Sequence, residues 1–490
     1  MRLRPKASRF VVVAGLAATS CLPLTTPISA PGGSSTALGV SAASGATSSG
    51  TQPTSIGTFS RAQEGEPSGM SRRDFLTSAE SWRTPTKKGK RTPAPSPSAT
   101  SPVSSPTPDP SNTPSYDPPT SPPPTITPTP TSCSGVDVPS GGDIQAAINA
   151  HGSGTTFCLS GTYSASSLAP KSGDVFVGGA LRGNGAAHAF SSSASGVILD
   201  GIEISGYSPA HYDGAVTIHG SGWIVRNCYI HHNAVGVGIV WANTTGTRIL
   251  HNRLLYNGEE GFASTGDDGT VFSSNEVAYN NTSHQDWNDE AGGGKFYKST
   301  NLTVTDNYSH DNDGPGLWCD TNCYHAVFDG NRLVNNTAAG IDYEISYDAV
   351  IRNNVLSGNG TYHSSSPYYG SAGILVETSQ NVEVYGNSSS RDGNGIVLLE
   401  ESRGSGNRGM YMVQNVSVHD NQVRSPIKQA AGLFNELSDT SYWSSRGNSF
   451  THNAYWAPSA SRTFSWNGSD LTWSGWQSAG QDRTGQYSAT

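Results

Sequence analysis

The chain has 490 residues, of which only 34% are hydrophobic while 57 are Gly and 29 Pro, so two or three ordinary globular domains are excluded; one long domain plus unfolded sequence fits. The formal net charge of −9 is unevenly spread: 12 Lys+Arg and 6 Asp+Glu precede residue 132, leaving 17 basic and 32 acidic residues after it, a net of −15. An acidic domain repels phosphate backbones and anionic membranes, which excludes nucleic acid as a partner and would require a local Lys or a metal ion to hold a polyanionic glycan.

Residues 1–30 read as a secretory signal: Arg2, Arg4, Lys6 and Arg9 precede an apolar run from Phe10 to Ala18, then small and Pro-containing sequence to Ala30. The run is too short to span a bilayer, so no membrane span is expected. Ala18-Thr19-Ser20-Cys21 also reads as a weak lipobox, with lipid anchoring through Cys21 as the alternative to free secretion. Residues 31–131 read as a disordered linker, rich in Pro, Ser and Thr from 92, with 15 of the 29 prolines between Pro93 and Pro130. Such composition cannot offset its ordering entropy and makes a stiff spacer, suited to holding a domain at a cell wall. The folded domain is expected over 132–490, as a monomer. In an oxidising compartment its cysteines suggest pairs Cys133 with Cys158 and Cys319 with Cys323, leaving Cys228 over.

From Cys228 onward one slot recurs at Asn252, Asn275, Asn307, Asn331, Asn354, Asn387 and Asn421, at intervals of 23 or 24 residues lengthened in places by insertions. Five residues after each slot comes a second polar position: Asn233, Asn257, Asn280, Asn312, Asn336, Asn359 and Asp392. Asn tolerates left-handed backbone angles and bonds its neighbour one coil along, so two columns mark two stacked turns. A Gly then opens a β-rich run, as in Gly316-Leu317, Gly340-Ile341 and Gly373-Ile374. Each unit is several short strands that hide their apolar face only by stacking.

This pattern resembles the right-handed parallel β-helix proteins of the pectate-lyase-like superfamily over nearly all of the chain after the linker. The resemblance implies an all-β solenoid. In it, Asp143 to Ile148 is the helix that caps the first coil, and Trp473 to Asp482, with Trp443, Trp456 and Trp466, belongs to a terminal cap. The scaffold hosts lyases, hydrolases, epimerases and adhesins, so substrate does not follow from it.

Aligned on the opening Gly, positions +1 and +3 are mostly apolar and point inward, while +2 and +4 point outward. The outward face then gathers Lys295, Tyr297, Trp318, Asp320, Asp342, Glu344 and Glu377. Stacked coils lie ~4.8 Å apart, so a column of like charges is costly and calls for an explanation. The 281–293 insertion adds His284, Trp287 and Glu290 as an overhanging loop, and a later one around Tyr362, His363, Tyr368 and Tyr369 forms the opposite wall. Glycoside cleavage needs an acid and a carboxylate, about 5 Å apart for retention and about 6.5 to 9.5 Å for inversion. Asp320 and Glu344 on adjacent coils suit the first; Asp320 and Glu377, ~9.6 Å apart, suit the second. The expected roles are Glu344 as proton donor with a raised pKa, Asp320 as nucleophile or base, Lys295 holding a substrate hydroxyl or carboxylate, and Trp318 stacking on a sugar ring, with Asp342, Glu377, Tyr297, Glu290, Trp287 and His284 lining the substrate.

The leading expectation is a secreted glycoside hydrolase acting on a polysaccharide or cell-wall glycan without cofactor or metal. One alternative is a Ca²⁺-assisted polysaccharide lyase, with Asp320, Glu344 and Glu377 as oxygen ligands and Lys295 as base. The other is a non-catalytic glycan-binding coil. The Asp-Pro-His-Glu signature of alginate epimerases is absent, and His219, His231, His232 and His251 lack zinc-ligand spacing. The Asn-x-Ser/Thr triplets at Asn243, Asn301 and Asn415 follow from the Asn-rich turns.

Overall fold

A computed structural model describes residues 132–361, 371–458 and 462–490. The signal, the linker and the Tyr362 to Tyr369 wall lie outside the described residues.

From Val136 onward the described chain forms many short strands, stacked coil on coil into three sheets. Sheet 1 runs from the strand Val136–Val138 to Ser449–Thr451, sheet 2 from Thr162–Ser164 to Gln486–Ala489, and sheet 3 from Phe190–Ser192 to Ser469–Leu471. Pairing between coils is parallel, except in a small hairpin at 405–410 and where the chain closes sheet 3 at Phe464–Leu471.

The two Asn columns lie at the corners before and after sheet 2. Asn331 shows the arrangement: its Oδ1 accepts from the backbone N–H and the Nδ2 of Asn307, and its Nδ2 donates to Val304 O and to Asn354 Oδ1, all at 2.9 to 3.0 Å. The first ladder continues through Asn421 and Asn453 to Asp482, and the second ends on Asp392. Buried amides that would be costly unpaired are thereby satisfied in both directions. The left-handed residue is the one before each ladder position, such as His251 at φ 55° and Asn353 at φ 55°, so the ladder Asn supplies hydrogen bonds and its predecessor makes the turn.

The Gly after the second ladder is required by close approach. A Cβ on Gly316 would sit 2.7 Å from Asn336 Nδ2 and 2.8 Å from Gly340 O, which no side chain tolerates. Beyond it, Leu317, Cys319, Ile341, Tyr343, Ile374 and Val376 point inward into one continuous core.

Helix α1, Ile144–Ala150, covers the first coil with Ile144 and Ile148, and its Asp143 N-cap accepts from Ala146 N at 2.9 Å. At the other end the helix Trp473–Ser478 seats Trp476 against Phe450, Phe464 and Trp466. Trp456 departs from the expected cap, because it lies under the Arg424 guanidinium, 3.5 Å from its ring centre. The disulfides join Cys133 to Cys158 and Cys319 to Cys323, with Cys228 buried and free. No described helix is long and apolar enough to cross a membrane.

Candidate active site

The register of sheet 3 decides where the charges go. Lys295 pairs with Trp318 and Trp318 with Asp342; Tyr297 pairs with Asp320, Asp320 with Glu344, and Glu344 with Glu377. Since their +1 and +3 neighbours fill the core, these side chains form two columns on the outer face.

That face is not a solvated strip. Lys295 and Asp320 are 0% exposed, Glu344 and Glu377 1%, and Trp318, Asp342 and Tyr297 are also buried. Two insertions lie over it. The first carries helix α2, Trp287–Glu290, one turn capped by Asp286 and placed immediately before the strand Gly292–Tyr297. It lowers Glu290 onto Lys295, so that Lys295 Nζ lies 2.9 Å from Glu290 Oε1, 2.8 Å from Asp320 Oδ2 and 3.1 Å from Asp289 O. The ammonium also sits 3.7 Å from the Trp318 ring centre, a cation–π contact that fixes both.

The second insertion runs from 401 to 413 and contributes Arg403, which the sequence reading missed. Its Nη1 lies 2.5 Å from Glu344 Oε1, 2.7 Å from Glu377 Oε1 and 3.3 Å from Glu401 Oε2. Trp318 Nε1 donates to the other Glu344 oxygen at 3.0 Å. The long interval from Asn387 to Asn421 announced this insertion, and an Arg two residues after Glu401 was its one chemical signal.

Two of the anticipated residues go elsewhere. His284 is 81% exposed at its side chain and pairs with Asp313 at 3.1 Å, because the insertion turns there before it reaches the face. Trp287 packs with Ala339, Ala372, Leu375, Val397, Leu399 and Phe434, an apolar patch that continues the outer face beyond the charges. Lys295, Trp318, Asp320, Glu344, Glu377, Glu290 and Arg403 are the group brought together.

Burial pushes the Glu290 carboxyl up to about 7, against the pull of Lys295. Burial likewise raises Glu259 to about 8 and Glu260 well above the ordinary range, beside the same insertion. Glu259 accepts from Tyr212 N at 2.9 Å and faces His211 at 3.1 Å. For Lys295, burial alone would lower the pKa, but Asp320, Glu290 and Glu344 together raise it above its ordinary value. A Lys held protonated this way cannot act as the base of a lyase near neutrality.

Asp320 is bonded to Lys295, and Glu344 and Glu377 share Arg403, so each of these acids has a cation beside it although the acids outnumber the bases. Among the described residues no group of three or more His, Cys, Asp or Glu has metal-holding geometry.

Residues 213–389, the coils that carry this cluster, match the family model described as a right handed beta helix region. The domain is a right-handed parallel β-helix. No curated protein matches the chain. Similar solved β-helix structures include the A-module of the Azotobacter vinelandii mannuronan C-5 epimerase AlgE6, at 14% identity and TM-score 0.48, covering 70% of this chain and 93% of that one. The catalytic domain of a GH87 alpha-1,3-glucanase in complex with nigerose has 14% identity and TM-score 0.42, covering 74% of this chain and 69% of that one. A PL6 alginate lyase in complex with trisaccharide has 13% identity and TM-score 0.40, covering 65% and 85%. At such identities the likeness is one of fold.

Proposed function

We propose that this β-helix is an exported glycoside hydrolase acting on a polysaccharide, with its chemistry centred on Asp320, Glu290 and Lys295. The supporting observation is a cluster of buried ions on the outside of the solenoid. Ionic groups removed from water are at best neutral for stability compared with apolar ones of the same size, and the same face turns apolar at Leu375 and Val397. A cluster that stability does not require, built from acids of unequal proton affinity, is what acid–base chemistry needs.

The roles follow from the contacts. Glu290, raised to about 7, is the proton donor to the glycosidic oxygen. Asp320 is the nucleophile, attacking the anomeric carbon as the leaving group departs, after which water cleaves the glycosyl ester with Glu290 as base. Lys295 touches both carboxylates and holds their bonded oxygens within about 6 Å of each other, a spacing that suits retention. Glu344 accepts from Trp318 and pairs with Arg403, contacts that suit a carboxylate, so the donor role expected of it passes to Glu290.

Substrate enters only if the cover moves. The 401–413 segment is a two-residue ladder, Ser405–Gly406 with Gly409–Met410, tied to the solenoid at its rim by Tyr347 Oη to Gly409 O and Gln380 Nε2 to Met410 O. Movement of this segment would uncover the charges, which makes it the lid. The near-complete burial of the charges favours a second reading, a non-catalytic coil in which they only fasten the insertions.

The test is reducing-end release by the purified chain across neutral and acidic polysaccharides, with and without EDTA, while recording the ultraviolet absorbance of unsaturated products. Release without new absorbance, insensitive to EDTA and lost in Asp320→Asn, supports the hydrolase. EDTA-sensitive release with absorbance means a lyase, and no release from any polymer favours the non-catalytic coil.

A further inference from the structure

Away from sheet 3, the outer face of sheet 2 carries a groove of about 580 Å³ lined by Tyr229, Arg253, Tyr256, Glu276, Tyr279 and Tyr308, among others. The register places Tyr229, Arg253, Glu276, Tyr308 and Arg332 in one outward column on five successive coils, roughly 19 Å end to end at the parallel-coil spacing. Leu255 and Ala278 form a low floor beside it, and Ile230, Leu254 and Val277 point into the core.

One edge of the groove is an aromatic stack. His232, Tyr256 and Tyr279 follow one another on adjacent coils with ring centres 4.8 Å apart at each step, and Tyr279 meets His310 edge-on at 5.3 Å. Tyr279 is 39% exposed. These aromatics occupy the left-handed turn position, with φ 56° at Tyr256 and 57° at Tyr279, where later coils use Asp311, Asn335 and Gly358. A bulky side chain is disfavoured in that conformation, and two in succession persist only if the surface they make is useful.

The solenoid itself does not need them. The same outward column continues as Val355, Ser388, Gln422 and Ala454, with the ladders uninterrupted.

The polar groups of the groove are paired among themselves and held still. Arg253 Nε lies 2.7 Å from Glu276 Oε2, His310 lies between Glu276 and Asp311, Arg253 covers the Tyr229 ring at 4.7 Å, and Arg332 covers Tyr308 at 4.6 Å. Charges compensated this way offer no net field to an anion, and the surrounding domain is strongly acidic. What remains is a row of planar guanidinium donors, phenol hydroxyls that both donate and accept, and rigid ring edges over an apolar floor. Vicinal hydroxyls on flat rings with apolar faces match that inventory.

We infer that the sheet 2 groove is a second glycan-binding site, distinct from the sheet 3 cluster, which holds a neutral polysaccharide chain along the solenoid. Binding there needs no turnover, so a failure of this site and a failure of the hydrolase reading are distinguishable.

The test is affinity electrophoresis of the full chain through native gels containing a neutral glucan, a neutral xylan or, as the polyanion, alginate. The variant is Tyr256→Asn with Tyr279→Asn, which places at both turns the residue that the Asn335 coil already uses, so folding is favoured. The expected result is retardation by at least one neutral polymer, weakened about tenfold or more in the double variant as expected for loss of two aromatic anchors, and unchanged in Gln422→Ala, on the same column beyond the groove. Tyr256→Phe with Tyr279→Phe should retain part of the binding. Equal retardation of wild type and the double Asn variant, no retardation by either neutral polymer, or retardation by alginate alone would each overturn the site.

Discussion

The Asn ladders and the sheet 3 ion cluster are both buried and polar, yet they answer to opposite rules. The ladder amides are neutral, repeat from coil to coil until each ladder ends on an Asp, and leave neither end of the amide unmet, so each step adds the net stability of satisfied hydrogen bonds. The cluster is charged, occurs once, and is assembled from two insertions of different lengths laid over strands that would be simpler if apolar. Repetition therefore marks what holds the solenoid up, and the interruption of repetition marks what it is for.

Breaking one partner of the cluster should give the largest effect. Lys295→Met leaves Glu290 and Asp320 buried without their counter-ion and is expected to lower unfolding stability by about 3 to 5 kcal/mol, read from urea midpoints. Next comes pH. The folded Glu290 binds its proton up to about 7, whereas the unfolded group releases it near the ordinary Glu value, so its contribution is fully present below that value and is lost as pH rises to about 7. The loss is on the order of 3 kcal/mol, and Glu290→Gln should flatten that part of the stability curve relative to wild type. The same substitution should remove the alkaline limb near 7 from hydrolysis of the natural polymer, and spare the first step on substrates with acidic leaving groups, which needs no proton, while hydrolysis of the glycosyl ester slows.

Breaking the ladder sharpens the contrast from the other side. Asn331→Ala orphans the Asn307 amide and Val304 O and should cost about 2 to 3 kcal/mol, while activity per folded molecule stays unchanged. The smallest effect is expected on reducing Cys319–Cys323, which closes a short loop and contributes about 2 kcal/mol in the chain-entropy account, measurable by thermal unfolding with and without reductant.

What the sequence made legible follows the same division. The 23- or 24-residue spacing and the Gly that opens each strand align sheet 3 with itself but leave open a one-residue slip that would turn Asp320 and Glu344 into the core, and the structure pairs Asp320 with Glu344 in the register so aligned. The insertions have no repeat to align with. Where 281–293 places Glu290, and where 401–413 places Arg403, depends on tertiary contacts that periodicity does not encode, so His284 and Trp287 were expected over the charges and Arg403 was not. The burial of the face follows from those same insertions. Glu344 was expected to be crowded by acids alone, and it is Arg403 that changes its surroundings.

The most direct test replaces the charged triad with apolar residues of similar size, Lys295→Met with Asp320→Leu and Glu290→Leu, and measures unfolding stability and polysaccharide hydrolysis on the same preparation. A cluster kept for catalysis predicts stability equal to or above wild type with hydrolysis abolished. A variant several kcal/mol less stable than wild type, or one that still hydrolyses its polymer, would contradict the account.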